Sequence, residues 1–301
     1  MNRKVAVIMG SDSDYGTMKR IIPILQESDV DYDFRVISAH RTPKIAEEFA
    51  RNAKINGYDL IIAGAGMSAH LAGVLAASTG VPIIGVPIKS DSSGMDGLDA
   101  LHSVIQMPPG IPVATVGIDN AEGAARLAVK MMNCYMELNG DPVVKIVYNR
   151  EEVSEASLEK AIKTLDVYGI KHITVDSVSA LCREDNTFVI LNLTDVNVEK
   201  IVQNDKGAKK IPIVEVPIKT ESGRFMDTSH KIYQKVQASE ATAFVGVNSY
   251  QNAAHIIARI VGIHDTEVYT AVIDEHAKLA AAVIEKDAKI RSEVAGGKLA
   301  H

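Results

Sequence analysis

The sequence predicts an α/β protein in which a parallel sheet is covered by helices on both faces. Its strands are short, continuous apolar runs, such as residues 5–9 and 60–63, without the polar alternation of half-exposed strands. Each run is followed by a segment with apolar residues at helical spacing, which is typical of parallel strands linked by helices. The third observation is a repeat, because PIIGVPIK at 82–89 recurs as PIVEVPIK at 212–219. The chain is therefore expected to contain two related α/β units.

The first unit consists of five strand–helix pairs in order. Strands are predicted at 5–9, 34–37, 60–63, 81–86 and 112–116, and helices at 18–25, 42–53, 69–78, 97–106 and from 121 onward. Thr42 is the predicted N-cap of the second helix, with Pro43 at its first position. Residues 60–88 contain no charged side chain, but five glycines and two prolines divide them into strand, turn, helix and strand. A membrane span is therefore rejected.

The repeat also defines the domain organisation. A second match, of residues 114–117 with 243–246, follows the first at nearly the same offset. We predict a first domain at 1–140 and a degenerate copy of it at 143–301. The copy has lost its polar loops, since NREE at 149–152 stands where the first domain has GSDSD.

Composition excludes several classes of protein. The 301 residues have a net charge of −6, 5% aromatic residues and no Trp, which does not fit a general nucleic-acid binder. Cys134 and Cys182 form no CxxC motif, so neither a disulfide scaffold nor a zinc ribbon is predicted. The N-terminus shows no secretory signal, which predicts a cytoplasmic protein.

Polar loops follow the first two strands, where ligands of open α/β sheets bind. GSDSD at 10–14 opens a helix, so its free N–H groups and serine hydroxyls suit an anion, although an ordinary N-cap explains the same residues. The next loop, SAHRTP at 38–43, places His40, a candidate for proton transfer, beside Arg41, a candidate phosphate ligand.

Glycines dominate the loop after the third strand. GAGMSAH at 64–70 permits close backbone approach to a ligand, or tight packing of helix on strand, and we expect His70 to position the substrate. Loops at 92–97 and 106–110 are expected to complete a ring of polar or glycine-rich loops around the site. No histidine pair has metal-ligand spacing, and neither GxGxxG nor GxxxxGK[ST] is present, so metal, dinucleotide and P-loop sites are not predicted.

At these residues the chain resembles the 5-(carboxyamino)imidazole ribonucleotide mutase (PurE) family of purine biosynthesis. The motifs that carry the resemblance are GSDSD at 10–14, SAHRTP at 38–43, GAGMSAHLAG at 64–73, SGMDGL at 93–98 and QMPPGIPVATV at 106–116. The resemblance implies a three-layer flavodoxin-like fold and a cofactor-free migration of a carboxylate on an aminoimidazole ribonucleotide. Residues 253–268 resemble the last helix and C-terminal tail of the family.

The resemblance also implies a role for each matching residue. His40 would transfer the proton, Arg41 and Ser11 would contact the phosphate, and Asp14 the ribose. His70 would act with the 64–68 backbone to enclose the imidazole and the migrating carboxylate. The full implied set is His40 and His70 as catalytic residues and Ser11, Asp14, Ser38, Arg41, Gly64, Ala65, Gly66 and Ser68 as substrate-binding residues.

Two alternatives stay open at this point. One is direct carboxylation of aminoimidazole ribonucleotide by carbon dioxide, although relatives with that activity tend to have Lys at Arg41 and no counterpart of His70. The other is a non-catalytic nucleotide-binding protein, a description that we apply mainly to residues 143–301. We also expect a homo-oligomer, because Val272, Ile273 and Val283 belong to an apolar stripe on the C-terminal helix. Four chains are favoured over eight, because the retained repeat at 212–219 suggests that the second copy keeps a docking surface of the first.

Overall fold

The computed structural model describes residues 3–91, 93–135, 138, 140–176, 186–203, 210–219 and 225–295, the side chains of 225–228 and 295 excepted. The strands within these ranges are Lys4–Met9 (β1), Asp31–Val36 (β2), Leu60–Gly66 (β3), Ile83–Ile88 (β4), Ala114–Thr115 (β5), Val143–Tyr148 (β6), His172–Val175 (β7), Thr187–Leu193 (β8), Ile213–Glu215 (β9) and Thr242–Phe244 (β10). The helices are Tyr15–Met18 (α1), Ile22–Glu27 (α2), Pro43–Arg51 (α3), Leu71–Ala76 (α4), Leu98–Ile105 (α5), Ala121–Asn133 (α6), Glu155–Val167 (α7), Val198–Val202 (α8), Phe225–Gln237 (α9), Tyr250–His264 (α10) and Thr266–Ala295 (α11). Short 3-10 turns lie at Asp12–Asp14 and Lys19–Ile21.

These ten strands form one sheet in the order β2-β1-β3-β4-β5-β10-β9-β8-β6-β7. Within each half the paired strands are parallel, and the first half has the order 2-1-3-4-5 of flavodoxin-like folds. The second half repeats that order, and the halves meet where Thr115 of β5 pairs antiparallel with Phe244 of β10. The predicted α/β fold class is confirmed, whereas the origin of the second half by duplication stays a prediction.

Helices cover both faces of the first half-sheet. Val5 and Val7 of β1 point to one face, where they join a buried cluster with side chains of α2 and α6. Ala6 and Ile8 point to the other face and pack with side chains of α3, α4 and α5. Both faces of β1 are buried over residues 5–9, which are all apolar, and the three layers expected from the sequence are present.

The two halves contact each other through similar positions on α6 and α10. Asn252 on α10 donates to the carbonyls of Met107 and Pro108, in the loop before β5. Asn120, the N-cap of α6, donates to the carbonyls of Ser239 and Glu240, in the loop before β10. Each half therefore donates an asparagine side-chain amide to backbone carbonyls of the other half, so the contact is approximately two-fold symmetric.

Three expectations from the sequence need correction. Residues 106–110 precede β5 rather than follow a strand, so this loop packs on α10 at the amino end of the sheet and does not reach the polar loops. The side chain of Thr42 does not cap α3, although Thr42 is the N-cap residue. The stripe on α11 is covered over its first turns, since Val272 is buried and His276 accepts a hydrogen bond from Arg259.

Two residues named in the sequence analysis lie outside the described residues, namely Cys182 and Ser92 of the 92–97 loop. Residues 60–88, which are uncharged, fold as β3, α4 and β4. Among the helices that the structure describes, none combines the length and apolar character that crossing a membrane requires.

Candidate active site

A cleft of about 500 Å³ lies at the carboxyl ends of the four neighbouring strands β2, β1, β3 and β4. It is lined by Gly10, Ser11, Ser13, Asp14, Ser38, Ala39, His40, Arg41, Ala65, Gly66, Met67, Ser68, Leu71 and Ser90. The three loops at 10–14, 38–43 and 64–70 therefore converge as the strand-end argument predicted.

The loop after β1 is held in place by its own side chains. Ser11 accepts a hydrogen bond from the N–H of Ser13, and Asp14 accepts one from the N–H of Ser11, which together form a capping box. Burial raises the pKa of the Asp14 carboxyl, while hydrogen bonds from the Ser11 N–H and the Ser13 hydroxyl oppose that rise. The N-cap explanation of Ser11 is thus correct, and the capped turn is also a wall of the cleft.

The loop after β2 is braced by Thr42, whose hydroxyl accepts from the Ser38 N–H and donates to the Ser38 carbonyl. Ser38 Oγ in turn accepts from the N–H of Arg41. The Arg41 guanidinium donates to the carbonyl of Gly10 at 3.3 Å, so it lies beside the first loop. A strong cation is thereby placed beside the turn at residues 10–14, and a guanidinium is a suitable ligand for a phosphate.

The two glycines at the end of β3, Gly64 and Gly66, are both constrained by packing. A side chain at Gly64 would clash with Met18 Sδ, and the Gly64 carbonyl already accepts from Gly10 N–H, so Gly64 supports the cleft from behind. Gly66 lines the cleft directly, and the next residue, Met67, has a positive φ of 53°. The packing explanation therefore fits Gly64, and it applies to Gly66 as well, because a side chain there would lie 3.1 Å from the carbonyl oxygen of Ile88 on β4.

Two histidines meet at the edge of the cleft. Nε2 of His40 lies 3.0 Å from Nδ1 of His70, and the rings are nearly perpendicular. A hydrogen bond between two ring nitrogens requires one donor and one acceptor, so one of these two nitrogens carries no proton. The pair is exposed and can exchange a proton with a molecule bound in the cleft. Both residues come from loops that the sequence singled out.

Of the ten predicted site residues, eight line the cleft, His70 contacts it through His40, and Gly64 lies behind it. The cleft is also lined by six residues that are not among the ten, namely Gly10, Ser13, Ala39, Met67, Leu71 and Ser90. Ser90 comes two residues after the end of β4, so the same strand-end rule would have found it. In the part of the chain that the structure describes, no group of three or more His, Cys, Asp or Glu side chains is placed to hold a metal ion.

Comparison with known proteins gives a consistent set of relatives. The family described as AIR carboxylase matches residues 4–144. N5-carboxyaminoimidazole ribonucleotide mutase from Pyrococcus abyssi is 58% identical over 130 residues, which are 43% of this chain and 74% of that protein. The chain belongs to the AIR carboxylase family. The mutase of Thermotoga maritima is 45% identical over 169 residues, 56% of this chain and 95% of that protein.

Some members of the AIR carboxylase family have a different name. Phosphoribosylaminoimidazole carboxylase from Candida glabrata is 46% identical over 159 residues, 53% of this chain but 27% of that protein. The family match ends at residue 144, at the start of β6, so it covers the half of the sheet that contains the cleft.

Proposed function

We propose that this protein moves the carboxylate of 5-(carboxyamino)imidazole ribonucleotide from the exocyclic nitrogen to the ring carbon, a step of purine biosynthesis. The observation that carries the proposal is the His40–His70 pair, located at a cleft whose loops belong to the matched family region. The relatives from Pyrococcus and Thermotoga are named for this mutase activity.

The chemistry requires a balanced transfer of one proton. When the carbon–nitrogen bond of the carboxyamino group breaks, carbon dioxide leaves and the nitrogen gains a proton. The ring carbon then attacks the retained carbon dioxide and loses its own proton as the ring regains aromaticity. His40 is the proposed carrier of that proton, with His70 as its hydrogen-bond partner. The protein must also keep carbon dioxide in place, and the backbone of Ala65 and Gly66 forms the adjoining wall.

Direct carboxylation of aminoimidazole ribonucleotide is the second candidate, because the Candida relative is named a carboxylase. Arg41 and His70 favour the mutase, since carboxylating relatives were expected to have Lys at the first position and no counterpart of the second. The purified chain should be supplied either with the carboxyamino substrate or with aminoimidazole ribonucleotide and bicarbonate. Faster formation of the ring-carboxylated product from the first supports the mutase, and faster formation from the second supports the carboxylase. Binding of either ribonucleotide without turnover would instead support the non-catalytic alternative.

Replacing Arg41 by Ala is expected to raise KM about 10- to 100-fold while changing kcat less, because the guanidinium is proposed to bind the phosphate in ground and transition state alike. Steady-state kinetics with the preferred substrate measure both constants. Arg51→Ala is the matched control, since Arg51 lies on α3 outside the cleft and pairs with Glu47. A normal KM in the Arg41 variant would exclude this contact.

The second half is proposed to bind no ribonucleotide. Glu152 occupies the loop after β6, where its carboxylate accepts from the Asn149 amide and from the N–H of Asp195 after β8. This bridge joins the loops after β6 and β8, and it places a carboxylate where the first half has the GSDSD loop. Titration calorimetry on the full chain should therefore give one ribonucleotide per chain. A stoichiometry of two would show that the second half also binds.

Assembly into a tetramer is proposed from the exposed part of α11. Beyond Leu279 the helix carries Val283, Ile284 and Ile290 on the surface, with exposed fractions of 64%, 70% and 57%. An isolated stretch of helix this long gains little stability in water unless another surface covers it. Light scattering is expected to give a mass near four chains, whereas eight chains or a monomer would contradict the proposal.

A cytoplasmic location stays a prediction from the sequence.

A further inference from the structure

Helices α10 and α11 of the second half pack beneath the two helices that follow the site loops, α3 and α4. Arg259 on α10 is 1% exposed, and its guanidinium donates to the carbonyls of Ala76 at 2.9 Å and Val81 at 3.5 Å. Lys54, just after α3, donates to the carbonyls of Gly262 and Ile263 at the end of α10. Cationic side chains therefore connect the far ends of both site-bearing helices to α10.

The contact of Arg259 with α4 is of particular interest because α4 is short. It has six residues, so its two ends are about 9 Å apart. Its first residue, Leu71, lines the cleft directly after His70, and its last residue, Ala76, accepts from Arg259. The last carbonyls of a helix lack partners within the helix, and a cation there is also favoured by the helix dipole. Arg259 therefore fixes the end of α4 that faces away from the cleft.

Arg259 is itself held in one orientation. Its guanidinium also donates to Nε2 of His276 on α11 at 3.2 Å, and because arginine only donates, this nitrogen carries no proton. Burial, together with the charge of Arg259, lowers the pKa of His276 to about 4. A side chain at Gly80 would crowd Tyr269 and Ile273 of α11, so the segment between α4 and β4 fits closely against the same helix.

We propose that Arg259 is a positioning residue for the reaction, which holds α4 so that His70 stays within hydrogen-bond distance of His40. The inference rests on the proposed function and gives the second half a role in catalysis although it binds no substrate. A displacement of about 1 Å at a reacting group can cost roughly 100-fold in rate. The contact at Ala76 lies six residues, or about 1.7 turns of helix, from His70, which is close enough to produce such a displacement.

The test compares Arg259→Met with Asn252→Ala. Asn252 lies two turns earlier on the same helix, is 2% exposed and also bonds backbone groups of the first half, but those groups belong to the 107–110 loop outside the cleft. Both variants are expected to unfold at a lower temperature. We expect only Arg259→Met to lower kcat, by about 10-fold or more, with KM changed less than about two-fold. Arg259→Lys keeps a positive charge at this position, so its kcat should lie between those of Arg259→Met and the parent chain.

A second measurement separates failure of this inference from failure of the proposed function. In protein labelled with ¹⁵N at its nine histidines, the ring-nitrogen chemical shifts of His40 and His70 report on the hydrogen bond between them. The variant His40→Asn identifies these signals, because it removes those of His40 and changes those of His70. These shifts should change in Arg259→Met and stay unchanged in Asn252→Ala, even if the parent chain shows no mutase activity. Unchanged shifts and kcat in folded Arg259→Met, or equal losses in both variants, would overturn the positioning role. If Arg259→Met does not fold, Arg259→Lys is compared with Asn252→Ala by the same criteria.

Discussion

His40→Asn is expected to lower kcat by about 10²- to 10⁴-fold, the range for loss of a general acid–base group, while KM changes little. Asn can still form a hydrogen bond to His70, but it cannot carry a proton between the nitrogen and the ring carbon. Since Arg41, rather than His40, is proposed to bind the phosphate, binding should survive the substitution. The measurement is steady-state kinetics with the carboxyamino substrate, together with ribonucleotide binding by calorimetry.

The matched control for this variant is His102→Asn. His102 is also an exposed histidine of the first half, but it lies on α5 and does not line the cleft. The His102→Asn variant should turn over substrate at the parent rate. If His40→Asn keeps more than about a tenth of the parent activity, the proton-transfer role of His40 is excluded.

The position of the site could be predicted because it depends on local rules. A parallel sheet places the loops after neighbouring strands together, and the sequence gives polar residues in the loops after β1, β2 and β3. Residues 106–110 come before β5, so this rule does not place them at the site, and their prediction rested on composition alone. The sequence also could not show why residue 64 is a glycine, because the constraint on Gly64 comes from Met18, a residue 46 positions away in the chain.

For the second half, the repeat predicted strands at the matched segments 212–219 and 243–246, and β9 and β10 overlap these segments. It did not predict how α9 packs on them. At the position of Gly85 in the first repeat, the second repeat has Glu215. A side chain at Gly85 would clash with Val104 of α5 and crowd Val113, so close helix packing there requires glycine. A carboxylate at the corresponding place needs a different neighbour.

That neighbour is Lys235 on α9. Its ammonium lies 2.6 Å from the Glu215 carboxylate, which is 4% exposed, and it also donates to the carbonyl of Thr194. The Asn192 amide gives Glu215 a further hydrogen bond. Removing one member of such a buried pair leaves the other charge without compensation, which typically costs about 3–5 kcal/mol of unfolding free energy. The second half therefore replaces apolar packing by a buried ion pair that a sequence pattern cannot reveal.

Lys235→Met is accordingly expected to lower the unfolding free energy by about 3–5 kcal/mol at pH 8, measured by denaturant titration, and to do so less at pH 5. Burial raises the pKa of Glu215, and the Lys235 ammonium opposes that rise, so the variant should raise this pKa further. A carboxyl whose pKa is higher in the folded than in the unfolded state binds its proton more tightly when folded, so stability falls as pH rises above the unfolded value of about 4.3. Lys231→Met, an exposed position on α9, is the control and should change the unfolding free energy by less than about 0.5 kcal/mol. Equal losses for Lys235→Met at the two pH values would mean that lost packing of the lysine side chain, rather than the uncompensated carboxylate, destabilises the fold.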